Sequence, residues 1–523
     1  MRRQKIQVQQ LQHPQTGKGI NRRDAFKGLA ATAFGGALLG APAKAESLKP
    51  PRVRPVNPLA ATFPIWRLER PAKPALPNSY FWTWDHSNNW DWDDPGMLNY
   101  GCNNSYLKQP DTYLDDYRRL TDMAAGLGVK GAIIWGFLRD SHGGIEYAKR
   151  VADYADSRGV AIMPGVGTTW YGGCYYEGDH KYNLETFIKR NPDAVRRLEN
   201  GDRDEHGMCP THPGFVEWVQ KGLDWLFKEF AIGGVNLENG DFVVCYCSRC
   251  TKRREEWPKD EPLFWFHQYL GYEPALQALK DHFKDKLITW ATYKGFMPGS
   301  GPGKNQHAHM ECLRPVMFDK LPAGSLCQWT LTHMIHPKPL PLTAYLDNGA
   351  PAEALSCETW SADAKPPSAH SVGFIHQGSQ WTGRSRYKCV ISEIKEGCLR
   401  AYRTGLEGVS IHGEVSSLHI PWALNYLAFS HFIHWPADSL RDWGRKTLGQ
   451  VLGSPDEGEA FAELLTHCDA GTLTQAQLKD LGSRTLSLQR DVYKGIHLQR
   501  CRFWNWLNAL ALKQTDPQTV SLF

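Results

Sequence analysis

What most constrains this chain is a rhythm. Eight short apolar runs ("SYFWTW", "VKGAIIWGF", "VAIMPGVG", "GGVNLE", "LITWATY", "SLCQWTL", "SVGFIHQG" and "VSIHGE") lie in order between residues 79 and 414. Helical stretches separate nearly all of them. In "DTYLDDYRRLTDMAAGLG", for example, Leu114, Tyr117, Leu120 and Ala124 fall on one helical face. Strands that alternate with helices must pair in parallel, and eight of them close on themselves. The pattern predicts a (β/α)8, or TIM, barrel over 79–417 with a C-terminal helical extension over 418–523. An open doubly wound sheet is the alternative, but no glycine-rich phosphate fingerprint follows the first strand. "GSGPGK" at 299–304 has neither the spacing nor the Ser/Thr of a P-loop. The Pro-rich stretch 334–370 reads as a loop inserted between the sixth and seventh strands.

In such a barrel the chemistry gathers at the C-terminal ends of the strands. There the sequence places Trp84, Asp85 and His86, then Trp135, then Trp170 after the third strand. Glu238 and Asp241 follow the fourth strand, Gln380 and Trp381 the seventh, and His412 and Glu414 the eighth. Carboxylates among tryptophans, imidazoles and amides suit a site that cleaves sugars. One carboxyl group protonates the leaving oxygen while another attacks the anomeric carbon or activates water. Glu238 and Glu414 are the expected pair, with Glu358 of "LSCETW" a rival for the second place. With 20 Trp and 12% aromatic residues the chain has ample stacking surface, although tryptophan also fills cores.

Thiols crowd the segment after Glu238. Cys245, Cys247 and Cys250 put three soft ligands on one tight loop, and tetrahedral zinc needs four. Cys209, in "EHGMCPTHP" before the preceding helix, is the best fourth. A disulfide is the alternative, but three cysteines within six residues cannot all pair with one another. Four thiolates would fill zinc's coordination sphere, so the expected zinc is structural.

A strand ending in glutamate, a C-x-C-x-x-C loop and an earlier Cys-Pro before a helix resemble the β-galactosidases of glycoside hydrolase family 42. The likeness covers about 200–255. It implies a retaining barrel hydrolase with Glu238 as acid/base and Cys209, Cys245, Cys247 and Cys250 on zinc. The chain departs from the family at two places. Leu237 stands where the family has Asn, and the seventh strand ends in His376 and Gln377 where the family has its nucleophilic glutamate. The chain therefore resembles a divergent relative rather than a β-galactosidase.

Residues 1–45 read as a targeting segment. "NRRDAFKGLAATAFGGALLGAPAKA" has paired arginines, a Gly/Ala-rich apolar stretch and a small-x-small ending, the pattern of a twin-arginine signal. The apolar run, about 15 residues, is short for a bilayer span, and no later run reaches ~20. Such export delivers protein folded in a reducing cytoplasm, where a thiolate–metal site can load first; this fits the odd count of 13 cysteines. The segment carries eight Lys/Arg and one Asp, so the whole-chain charge of +5 becomes −2 without it. That balance gives no nucleic-acid footprint. Residues 46–78, with eight prolines, read as a linker or strap. The expectation is a periplasmic or secreted glycoside hydrolase acting on an oligo- or polysaccharide. A non-catalytic carbohydrate-binding barrel and a polysaccharide lyase are the alternatives.

Overall fold

The computed structural model describes residues 66–85, 88–89, 108–239, 244–257, 259, 263–295, 320–332, 339–355, 370–375, 389–412, 415–416, 420–491 and 498–515. All of these lie in one unit, Val56–Phe523. The eight apolar runs form its centre: β1 (Tyr80–Trp84), β2 (Gly131–Trp135), β3 (Ala161–Gly167), β4 (Gly234–Glu238), β5 (Leu287–Gly295), β6 (Leu326–Thr332), β7 (Ser371–Ile375) and β8 (Val409–His412). They pair in parallel and in chain order, and β8 returns to β1 with Tyr80 opposite Ser410, closing the barrel. The (β/α)8 architecture expected from the alternation is what the chain adopts.

Helices form where periodicity and end signals agree. Helix α1 (Pro110–Leu127) starts on a proline, whose missing N–H is no loss in a first turn, and ends at Gly128 in the left-handed region. Its face of Tyr113, Leu114, Tyr117, Leu120 and Ala124 is buried against the barrel. Helices α2 (Gly144–Ser157), α3 (Pro213–Glu229), α4 (Leu263–Leu279) and α5 (Ile391–Arg403) continue the outer ring. Helix α6 (Ile420–His434) takes the eighth outer place. Phe81 of β1 meets Tyr426 at 4.7 Å between ring centroids, and Ser430 donates to the Leu127 carbonyl at the end of α1. Buried on every side, α6 lacks the polar stripe of a surface helix. Beyond it run α7 (Pro455–Asp469), α8 (Gln475–Asp491) and α9 (Leu498–Thr515).

Inside the barrel, alternate residues point to the axis. Tyr80, Trp82, Trp84, Ile133, Trp135, Met163 and Phe374 pack there. Across them runs a buried polar belt. Asn236 donates to Thr289 at 2.9 Å and to Gln328 at 3.0 Å, accepts from Trp135 at 3.2 Å, and Gln328 donates to Ser410 at 2.8 Å. The amides of Asn236 and Gln328 are partnered, and the belt ties five strands together. Gly165 makes room for it, because a Cβ there would overlap the Trp135 indole.

Several elements escaped the sequence reading, among them the helix Leu184–Arg190 and the short helices Leu342–Tyr345 and Ala352–Leu355 within the stretch read as an inserted loop. Between β3 and α3 an antiparallel hairpin pairs Val195–Arg197 with Arg203–Met208.

Candidate functional site

Asn236 fixes the direction of Glu238. Its amide points across the barrel to Thr289 and Gln328, and residues two apart on a strand share a face. Glu238 therefore points to the axis at the C-terminal mouth, while Leu237 between them packs into the outer core. The carboxylate end of β4 is buried, with Glu238 at 2% exposure. Gly167 lies opposite it on β3, and Thr168 N donates to the Glu238 carbonyl at 2.8 Å. Tyr272, on α4, feels the Glu238 charge: burial first, then that carboxylate, pushes its phenol well above the usual range.

Beside Glu238 stands an aromatic wall. Trp135 lies 5.7 Å from Trp84 and 5.6 Å from Tyr171 between ring centroids, and Tyr176 closes on both tryptophans within 6.4 Å. Trp84, Trp135 and Tyr176 are covered, and Trp135 spends its indole N–H on Asn236. The half-buried members are Trp170 and Tyr171. Trp170 carries the Arg196 guanidinium over its ring at 4.7 Å. Tyr171 holds φ at +57°, a left-handed conformation rare for a tyrosine. His412, at the end of β8, packs edge-on against Trp82 at 4.5 Å.

Asp85 has a structural partner. Its carboxylate pairs with the buried Arg139 at 2.7 Å, and Arg139 also reaches the half-exposed Glu177. Burial works against the Arg139 charge, but Asp85, Tyr176 and Glu177 together outweigh it and the guanidinium stays protonated. His142 stacks on Tyr113 at 3.8 Å, and burial holds its pKa down to about 4. Sequence reasoning placed Thr168 to Tyr171 at the end of the third strand but missed Tyr176 and Glu177 as members of this mouth.

Four cysteines meet at the edge of the same mouth. The Sγ atoms of Cys209, Cys245, Cys247 and Cys250 all lie within 4.8 Å of one another, and all four are free thiols. Cys209 lies 3.5 Å from Cys247 and 3.6 Å from Cys250. A tetrahedron of sulfurs about 2.3 Å from zinc has edges of about 3.8 Å, so the donor set fits that ion. The hydrogen bond it accepts from Cys245 lowers the Cys209 thiol from its ordinary range. A chain of contacts joins this cluster to Glu238. Cys209 N donates to Ala194 O, Tyr246 N to Arg197 O and Met208 N to Thr169 O, all at 2.8–2.9 Å. The hairpin is the bridge between thiols and site.

His86, Asp241, Glu358, Gln380, Trp381 and Glu414, also singled out in the sequence, lie outside the described residues. No protein-family model and no curated protein matches the chain. Among solved structures it is similar to a Thermobaculum terrenum O-GlcNAc hydrolase, over 77% of this chain and 79% of that one, at 12% identity and TM-score 0.41. A β-N-acetylhexosaminidase from Bacteroides fragilis aligns over 49% of this chain and 46% of its own, less than half its length, at 14% identity and TM-score 0.30. An exo-β-N-acetylglucosaminidase from Vibrio harveyi aligns over 68% and 54%, at 11% identity and TM-score 0.35. Likenesses this distant add nothing to the site, which rests on this chain's own residues.

Proposed function

We propose that the protein hydrolyses O-glycosidic bonds of an oligo- or polysaccharide, with Glu238 as the acid/base. The observation that carries this reading is a buried carboxylate that ends a barrel strand, points to the axis and stands beside an aromatic wall. The half-buried Trp170 and Tyr171 offer rings on which a sugar face can stack. Glu414 is the proposed second carboxylate, as nucleophile or as base toward water. Descent from a family 42-like hydrolase belongs to the same proposal, as do export by the twin-arginine signal and a periplasmic or secreted location. Among the described residues no helix is long and apolar enough to cross a membrane.

The four thiols would hold a structural zinc. With every coordination position taken by sulfur, the ion would leave none for water and would act by fixing the loop.

The test is turnover of a panel of chromogenic aryl glycosides and oligosaccharides. Replacing Glu238→Gln is expected to lower kcat by roughly 10²–10⁴, the usual worth of a positioned acid/base. Unchanged turnover in that variant would remove Glu238 from the chemistry. Saccharide binding without turnover in the parent protein would make the barrel a non-catalytic binding module.

A further inference from the structure

The residue after Glu238 has both ends of its side-chain amide hydrogen-bonded. Asn239 is buried and, as the strand alternation requires, points away from the axis toward α4. Its Oδ1 accepts from Thr168 Oγ1 at 3.0 Å and, more closely, from Thr169 Oγ1. Its Nδ2 donates to the His267 carbonyl of α4 at 2.8 Å. His267 Nε2 lies 3.3 Å from Thr169 Oγ1, and burial keeps this imidazole neutral. With the Thr169 proton given to Asn239, the imidazole must donate, so the proton order runs His267 to Thr169 to Asn239. Gly271 lets α4 come this close, because a Cβ there would overlap the Asn239 amide.

We propose that Asn239 is the positioning residue for Glu238, a role that rests on the reading of Glu238 as acid/base. It pins the exit of β4 to both the end of β3 and helix α4, and only Leu237 and Glu238 lie between that anchor and Asn236, whose amide is fixed in the polar belt. Glu238 sits between two locked side chains, and its Cα–Cβ bond has one direction left to take. Asparagine suits the position by its chemistry. It accepts two hydroxyl protons and donates to a carbonyl from one planar group. Aspartate lacks the donor, and glutamine is a methylene too long.

The experiment measures kcat, KM, thermal melting and pH profiles for Asn239→Ala, Asn239→Asp, Thr169→Val, Thr169→Ser and Glu238→Gln. Asn239→Ala and Thr169→Val are expected to lower kcat roughly tenfold to a hundredfold with KM little changed, as small misplacements of a reacting group do. Thr169→Ser keeps the hydroxyl and is expected to retain activity near the parent's. Asn239→Asp places a carboxylate next to Glu238, and a like charge raises a carboxyl pKa. Glu238 would then hold its proton to higher pH, moving the basic limb of kcat/KM upward. Should Asn239→Ala fail to fold, the Thr169 pair decides, because it differs by one hydroxyl. Folded Asn239→Ala and Thr169→Val proteins with parental kcat and pH profile would overturn the proposal. Full activity in Glu238→Gln is separately visible and would remove the reading beneath it.

Discussion

Tyr171 shows at the scale of one residue how the site was assembled. A left-handed backbone costs a non-glycine residue about 1–2 kcal/mol, and such strain persists where the surroundings over-determine it. Here they do. Its ring packs 5.6 Å from Trp135 and 5.8 Å from Trp170, at the rim where a sugar would stack. Tyr171→Gly is therefore expected to leave the melting temperature nearly unchanged, as relieved strain offsets lost ring contacts, while substrate affinity falls several-fold, about 1 kcal/mol of stacking. Equal affinity in binding titrations on the Glu238→Gln background would show that the ring serves the fold alone. The sequence reading took in Thr168 to Tyr171 after the third strand but singled out Trp170 rather than this residue. Position after a strand brought out Trp84, Trp135 and Trp170 alike, although covered rings and half-buried ones differ in what they offer a ligand. Inward-facing residues of a barrel are both core and site floor, and strand periodicity does not separate the two. Asn239 was passed over for a related reason: its importance lies in partners 28 and 70 residues away.

At the scale of elements, all eight strands were legible because parallel strands buried on both faces must be apolar throughout. The hairpin was not, since "RDEHGM" is polar and largely exposed, and only the turn residues Asn200 and Gly201 announced it. The omission matters, because the hairpin couples the thiol loop to the site. Cys247 also caps the helix Ser248–Arg254, accepting from Cys250 N. With the proposed zinc in place, the parent is expected to hold about one ion per chain, and Cys247→Ser to lower that content, the melting temperature and, through the loosened hairpin, kcat, with elemental analysis as the direct readout. Chelation of the parent protein should reproduce all three effects. A variant that loses the metal yet keeps parental kcat would confine the cluster to stability. The clustering of the thiols was readable because three of them lie within six residues; the coupling was not, because backbone hydrogen bonds leave no residue signature.

The whole molecule buries titratable groups whose combined effect sets how stability depends on pH. His142 and His431 are enclosed, and burial holds both down to about 4. An unfolded chain binds protons at these groups near pH 6.5. Between about 6.5 and 4 the unfolded state therefore carries protons that the fold refuses, and stability falls as pH drops through that window. Asp438, beside His431 at 3.3 Å, is held below its ordinary range, so its own contribution is lost only at still lower pH. Lys395 acts higher up. It donates to the Pro436 carbonyl and sits 4.7 Å over the Phe432 ring, and burial lowers it to about 7. Its unfolded counterpart keeps a proton to about 10.4, so stability should rise again from about pH 7 toward 10. Each group acting alone gives a slope of about 1.4 kcal/mol per pH unit within its window. Denaturant midpoints measured from pH 4 to 10 are expected to climb in two stages. His431→Gln should shrink the acid stage by about half, since His142 remains, and leave the alkaline one, while Lys395→Met should flatten the alkaline stage and leave the acid one. An unaltered acid stage in His431→Gln would show that this imidazole is protonated within the fold, with Asp438 supplying enough attraction to overcome its burial.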